Sequence, residues 1–213
     1  MSQSDITTTV AQFFNQYPEH HYAKGQVLML SGDYDGHIYF LTSGTVKVYD
    51  VSYRGDEIIL NIYKPGAFFP MSLAMNGGDN PYIYEAESDI VFKQAPATEV
   101  VAFLRHEPTV LYDLLSRVYR GTDGLYGRLT KLMSGTAKTR LMYEVVVEAK
   151  RFGKSTSKGV QLTVNEKDLG ARAGLSRETV SREMAKLKHD KLISIEHGGI
   201  VVTDLAALEA KLE

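Results

Sequence analysis

Residues 162–187 read LTVNEKDLGARAGLSRETVSREMAKL, and two short helical patterns meet there at one glycine. In the first, Asn165 stands where a side chain can cap the following turn, and Leu169 falls on the inward face. Gly174 makes the turn. In the second, Ser176 is the cap and Leu175, Val180, Met184 and Leu187 form the buried face. Two helices joined by a short glycine turn make a helix-turn-helix, whose second helix enters the DNA major groove with its N-terminal residues toward base edges. With Val180, Met184 and Leu187 inward, Arg177, Glu178, Ser181 and Arg182 face outward. Arginine can pair with guanine O6 and N7, glutamate accepts from cytosine N4, and serine bonds a base or a phosphate. The alternative for this face is an ordinary solvated helix with i,i+4 charge pairs.

Working outward, KLISIEHGGIVVTD (191–204) reads as a β-hairpin turning at Gly198-Gly199, the wing that often flanks such a helix. Upstream, TRLMYEVVVEAKRFGK (139–154) is a helix with Gly153 as its C-cap. SGTA (134–137) is a hinge between that helix and a longer one opened by Pro108. On the long helix, Leu111, Leu115, Val118, Thr122, Leu125, Leu129 and Leu132 alternate spacings of four and three, a heptad seam. Such a face either lies on its own domain or pairs with a second copy. A helix of roughly 26 residues, about 39 Å long, outruns a small barrel, which favours the pairing. Gly121, Gly124 and Gly127 interrupt it, each costing about 1 kcal/mol relative to Ala. They either admit a close neighbour or soften the helix.

Between Gln26 and Gln94 short strand-like runs alternate with turns: VLML, HIYFL, TVKVYDV, IILNIY, YIYEAE and DIVFKQ, punctuated by SGDYDG, TSG, SYRGDE and KPG. With no helical stretch expected between them, the runs predict a sandwich or jelly-roll barrel rather than βαβ units. ATEVVAFLRHEP (97–108) then returns to a helical period.

Composition sets limits. The 213 residues contain no cysteine, which excludes disulfides, thiolate zinc and cysteine-held iron–sulfur clusters. No apolar run approaches the roughly 20 residues of a membrane span, and the N-terminus MSQSDITTTV lacks a signal-peptide pattern, so a cytoplasmic protein without a membrane partner is expected. Charge is segregated. Residues 1–134 carry 10 Lys and Arg against 15 Asp and Glu, a net of −5, and residues 135–213 carry 14 against 11, a net of +3. A basic C-terminal third suits contact with phosphates.

The whole chain resembles the CRP/FNR family of transcription regulators. The resemblance rests on LSRETVSREMAKL (175–187), HIYFLTSGTVKVY (37–49), RGDEIILNIYKPGAFF (54–69) and TAKTRL (136–141), in the family's order. It implies an α+β fold: an N-terminal jelly-roll β-barrel (1–107), a long dimerisation helix (108–134) and a C-terminal winged helix-turn-helix (135–213). It also implies a homodimer on a palindromic double-stranded DNA site, with RNA polymerase as a further partner. By the same resemblance Arg177, Glu178 and Arg182 read bases, Ser181 adds a base contact, and Ser176 and Thr179 contact phosphates.

The chain departs from the family's cyclic AMP-binding members. Pro70 and Met71 stand where those carry a Gly-Glu pair, and Pro81 or Tyr82 where an arginine neutralises the cyclic phosphate. No Lys, Arg or His lies anywhere from Pro65 to Phe92, and a buried phosphate without a cation faces a desolvation cost of several kcal/mol. Cyclic-nucleotide gating is therefore not expected. His20, His21 and His37 are the histidines available to a haem, but isolated histidines more often serve the surface or core. No cofactor is expected. Two readings of the barrel stay open: Pro70, Met71, Tyr82, Tyr84 and Tyr126 line a pocket for an unidentified apolar effector, or the barrel residues simply fill its interior. A metal-dependent jelly-roll enzyme fails on ligand count, and no nucleophile motif or phosphate-binding glycine loop is present. A winged domain that binds protein is the remaining alternative.

Overall fold

The computed structural model describes residues 3–196 and 199–212, in two compact units, 1–120 and 121–213. In the first, α1 (Gln3–Phe14) precedes β1 (Glu19–Tyr22), β2 (Val27–Met29), β3 (His37–Ser43), β4 (Val46–Val51), β5 (Glu57–Tyr63) and β6 (Phe68–Phe69). α2 (Met71–Asn76), β7 (Ile83–Ala86), β8 (Ile90–Pro96) and α3 (Ala97–His106) follow. The strands form two antiparallel sheets, ordered β1-β8-β3-β6 and β2-β7-β4-β5.

Strand β3 shows why the unit has layers. Alternate side chains of a strand point to opposite faces. Tyr39 and Leu41 join Met29, Val46, Val48, Phe69, Tyr84 and Phe92 in a core drawn from both sheets, while Ile38 and Phe40 enter a second core with Val10 and Phe14 of α1 and Val100 and Leu104 of α3. Both faces of β3 are covered, so its run HIYFL is almost continuously apolar. The TSG turn into β4 places Gly44 at φ +78°, where a Cβ would meet the Asp89 carbonyl oxygen at 2.2 Å.

The expected jelly-roll barrel is present, with one difference in its course. A helix, α2, does separate strands, lying between β6 and β7. Its six residues are too few for a helical period to be read from sequence, and it is held by burial of Leu73 and half-burial of Met71 and Ala74.

The long helix α4 spans Pro108–Ser134. Its first half uses a face other than the heptad seam against its own unit. Val110 and Asp113 are buried, Arg117 pairs with Asp113 at 2.6 Å, and its guanidinium donates to the Gly66 carbonyl at 3.1 Å. The seam residues Leu111, Leu115, Val118, Leu125, Leu129 and Leu132 are left between 38% and 55% exposed. The contact with its own unit thus uses other residues of the helix, and the heptad seam stands exposed.

In the second unit, α5 (Ala137–Phe152) leads to β9 (Lys154–Thr156), β10 (Gly159–Leu162), α6 (Glu166–Ala173) and α7 (Arg177–His189), then β11 (Ile193–Glu196), β12 (Gly199–Val202) and α8 (Leu205–Ala210). The strands form one antiparallel sheet, β11-β12-β10-β9. Leu141, Val145, Leu162, Leu169, Val180, Met184, Leu187, Val202 and Leu208, each under 2% exposed, make its core.

Candidate nucleic-acid interface

Capping and close approach set the two helices. The Asn165 side chain accepts from the Asp168 N–H at 2.9 Å and opens α6, which ends at Gly174 in the left-handed conformation (φ 61°, ψ 44°). The Ser176 hydroxyl accepts from the Thr179 N–H at 3.3 Å and opens α7. Gly170 was not singled out in the sequence, yet it sets the distance. A Cβ there would meet the Leu175 carbonyl oxygen at 2.7 Å and Val180 Cγ2 at 3.4 Å. Leu175 is half-buried against the core, whereas Val180, Met184 and Leu187 are fully inside.

That burial turns Arg177, Glu178, Ser181 and Arg182 to solvent, together on the first turns of α7, with Ser176 exposed beside them and Thr179 half-buried. The Arg182 side chain is 65% exposed, and its guanidinium lies 3.6 Å from the Glu183 carboxylate. Hydrogen bonds from its own backbone N–H and from the Ser176 hydroxyl hold the Glu178 carboxyl below the usual glutamate range, so it is ionised at neutral pH and presents an acceptor. The Ser176 hydroxyl is thus engaged twice, accepting from the Thr179 N–H and donating to the Glu178 carboxylate.

Beneath this face lies a charged framework that hydrophobic periodicity did not reveal. The Arg128 guanidinium donates to both carboxylate oxygens of Glu144, at 2.6 and 2.8 Å, and Glu144 is 2% exposed. This fork ties the C-terminal half of α4 to α5. Arg172 of α6 pairs with Glu148 of α5, both buried. Lys138 meets Asp190 at the end of α7 at 3.0 Å. The Tyr143 hydroxyl donates to the Gly124 carbonyl at 2.9 Å, and a Cβ on Gly127 would collide with that hydroxyl at 2.3 Å. One of the three helix glycines thus admits a close neighbour. Gly121 and Gly124 have nothing within 4 Å of a built Cβ.

Strands β11 and β12 pair antiparallel as the expected wing, with Ile195 opposite Ile200. The proposed Gly198-Gly199 turn falls partly outside the described residues. Gly153 ends α5 as expected, with its N–H donating to the Ala149 carbonyl, although at φ −62° rather than left-handed. Glycine is needed there because a Cβ would strike Val160 Cγ1 at 2.2 Å. The β9–β10 hairpin lengthens the sheet and was not anticipated, since KST and GVQL are too short and polar to signal strands.

Four of the residues expected to line an effector pocket, Pro70, Met71, Tyr82 and Tyr84, lie in the barrel unit in different surroundings. Tyr84 is buried within an aromatic stack, its ring 5.7 Å from Phe69 and 6.4 Å from Tyr63, while Tyr63 and Phe69 stack at 4.3 Å. Pro70 is buried, Met71 turns to the core on the helical side, and Tyr82 is exposed. Tyr126 belongs to the other unit and is 64% exposed. At the turn where a phosphate-neutralising arginine would sit, Asn80 is 1% exposed and satisfies the chain itself. Its amide donates to the carbonyls of Leu30 (2.8 Å) and Tyr82 (2.6 Å) and its oxygen accepts from the Tyr82 N–H (3.1 Å). Pro70 offers no N–H. The side chains present there do not fit a cyclic phosphate. Nor do the three histidines converge: His20 and His21 lie on β1 and His37 on β3, with β8 between those strands, and His37 Nδ1 is 3.0 Å from the Asp35 carbonyl.

Comparison with known proteins gives two family matches: a cyclic nucleotide-binding domain over residues 19–107 and a Crp-like helix-turn-helix domain over residues 139–211. The Cyclic AMP receptor protein of Thermus thermophilus is 26% identical over 188 residues, covering 88% of this chain and 85% of that protein. A mutant of CooA from Carboxydothermus hydrogenoformans superposes with a TM-score of 0.80 at 18% identity, covering 95% of this chain and 90% of that one. The c-di-GMP responsive global regulator CLP of Xanthomonas campestris gives 0.78 at 19% identity, covering 92% and 99%. At those identities the structural likeness speaks for the fold.

Proposed function

The chain belongs to the CRP/FNR family of DNA-binding transcription regulators, and from that premise we propose that it acts as a homodimer on a two-fold symmetric site without gating by cyclic AMP. The observation that carries the reading is the first two turns of α7, where Arg177, Glu178, Ser181 and Arg182 share one exposed face on a fully buried helix base. Arg177 and Arg182 would bond guanine, Glu178 would accept from cytosine, and Ser181 would add a base contact. Ser176 and Thr179 would meet phosphate, fixing register without reading sequence.

Homodimerisation is supported by the exposed leucine seam of α4, residues 108–134, which its own unit leaves uncovered. Independence from cyclic AMP is supported by the missing cation between residues 65 and 92, by Asn80 closing on its own backbone, and by the stacked aromatic rings that fill the barrel. Haem is disfavoured because His20, His21 and His37 do not converge, and iron–sulfur chemistry on cysteine by the lack of cysteine. We read the chain as a regulator rather than an enzyme, acting in the cytoplasm and meeting RNA polymerase on DNA. No helix among the described residues is long and apolar enough to cross a membrane.

The test is a binding titration of the full-length protein on its preferred duplex, with and without cyclic AMP. The same affinity in both is expected. A large gain with the nucleotide would contradict the ungated reading.

A further inference from the structure

Beside the reading face of α7 stands a carboxylate that is almost closed to water. Of the two glutamates on the helix, Glu178 is exposed, whereas Glu183 keeps 5% of its surface open. A carboxylate taken from water has to be paired or hydrogen-bonded where it lies. Glu183 meets two cations through one oxygen. Its Oε1 accepts from the Lys186 ammonium at 2.8 Å and lies 3.6 Å from Nε of Arg182. Its Oε2 is enclosed and accepts no hydrogen bond among the described residues. Lys186, and after it Arg182, hold the carboxyl below the usual glutamate range, so the group is ionised at neutral pH.

Stability alone does not account for an acid at this place. An enclosed oxygen without a donor costs free energy, and Val180 and Leu187, about one helical turn to either side, are fully buried apolar residues. An apolar side chain would suit position 183 better. The contact instead falls on a particular edge of Arg182. A guanidinium carries five N–H groups in a planar fork, one on Nε and two on each terminal nitrogen. Guanine O6 and N7 are read by a pair of them. With Nε turned to Glu183, the Nη1 and Nη2 end is left for that pair. An exposed arginine without such a tether samples many rotamers, and ordering it on DNA weakens binding.

We propose, on the premise that Arg182 reads a base, that Glu183 is a positioning residue for that recognition: its carboxylate holds the Nε edge of Arg182 and so aims the terminal nitrogens at the base. Glu183 itself touches no DNA.

Competition binding of the full-length protein between its preferred duplex and single-base variants tests this. Arg182→Ala identifies the position that Arg182 reads. There, Glu183→Gln should lower discrimination about two- to tenfold, the advantage of ordering one rotamer-rich side chain in advance, and should leave the other positions unchanged. Combined with Arg182→Ala it should lower discrimination no further, because the carboxylate acts through that guanidinium. A merely structural role would weaken discrimination at every position and would persist without Arg182. Glu209→Gln, which breaks a pair with Lys150 away from α7, should change nothing. Binding is read on samples whose thermal melts show an intact fold, and Glu183→Met repeats it with an apolar side chain of similar length. Full discrimination in both Glu183 variants, a loss spread over all positions, or an added loss in the double variant would overturn the proposal. If Arg182→Ala relaxes no position, the base-reading assignment fails and the proposal with it; a position relaxed by Arg182→Ala but by neither Glu183 variant overturns the positioning role alone.

Discussion

Arg182 and Glu178 carry the argument for base reading because both are charged and exposed at the start of α7. Replacing either with Ala should weaken the preferred duplex by about 1–3 kcal/mol and relax base preference at one position per half-site. A competition assay against single-base variants checks this; equal weakening on every sequence would reassign the residue to phosphate. The helix glycines give a stability prediction at the same scale. Gly127→Ala should lower stability by about 1 kcal/mol or more, because its Cβ would displace the Tyr143 hydroxyl from the Gly124 carbonyl. Gly121→Ala meets no atom and should raise stability by about 0.5–1 kcal/mol through helix propensity. Thermal melts of the two variants should move in opposite directions. The caps Asn165 and Ser176 and the turn glycine Gly174 were legible in the sequence because capping is a local signal. Gly170 and Gly127 were not, since what requires them is a neighbour brought in by the fold.

Among elements, α4 has two working faces. Its inner face, Val110, Asp113 and Arg117, is satisfied within one chain, and its seam is not. Leu125→Asp with Leu129→Asp should give a folded monomer with little operator affinity, as sedimentation and DNA titration would show; an intact dimer would refute the seam. The Arg128–Glu144 fork is the other element-scale feature. Glu144→Ala removes both bonds of the fork and should lower stability by about 1.5–3 kcal/mol, as losing hydrogen bonds to a charged group does. Long periodic elements such as this helix were readable from spacing alone. α1 was not: in QSDITTTVAQFF the fully buried side chains among those described are Val10 and Phe14, and its three threonines disfavour a helix until packing on β3 and α3 holds it.

For the whole molecule, an acidic barrel region and a basic C-terminal third are joined in one chain, as suits a regulator whose binding end faces phosphates. Its DNA affinity should fall steeply with salt, the logarithm of affinity dropping by about 0.9 per phosphate contact per decade of salt; a winged domain that bound protein would lack that slope. The barrel and winged architecture were legible because turn glycines and strand runs repeat. The barrel's interior was not, because which aromatic rings stack depends on strand order across two sheets. The most direct test of the central claim is selection of preferred duplexes from a random library by the purified full-length protein without added nucleotide. A two-fold symmetric site with half-sites about one helical turn, ~34 Å, apart is predicted, and failure to enrich any such site would contradict the account.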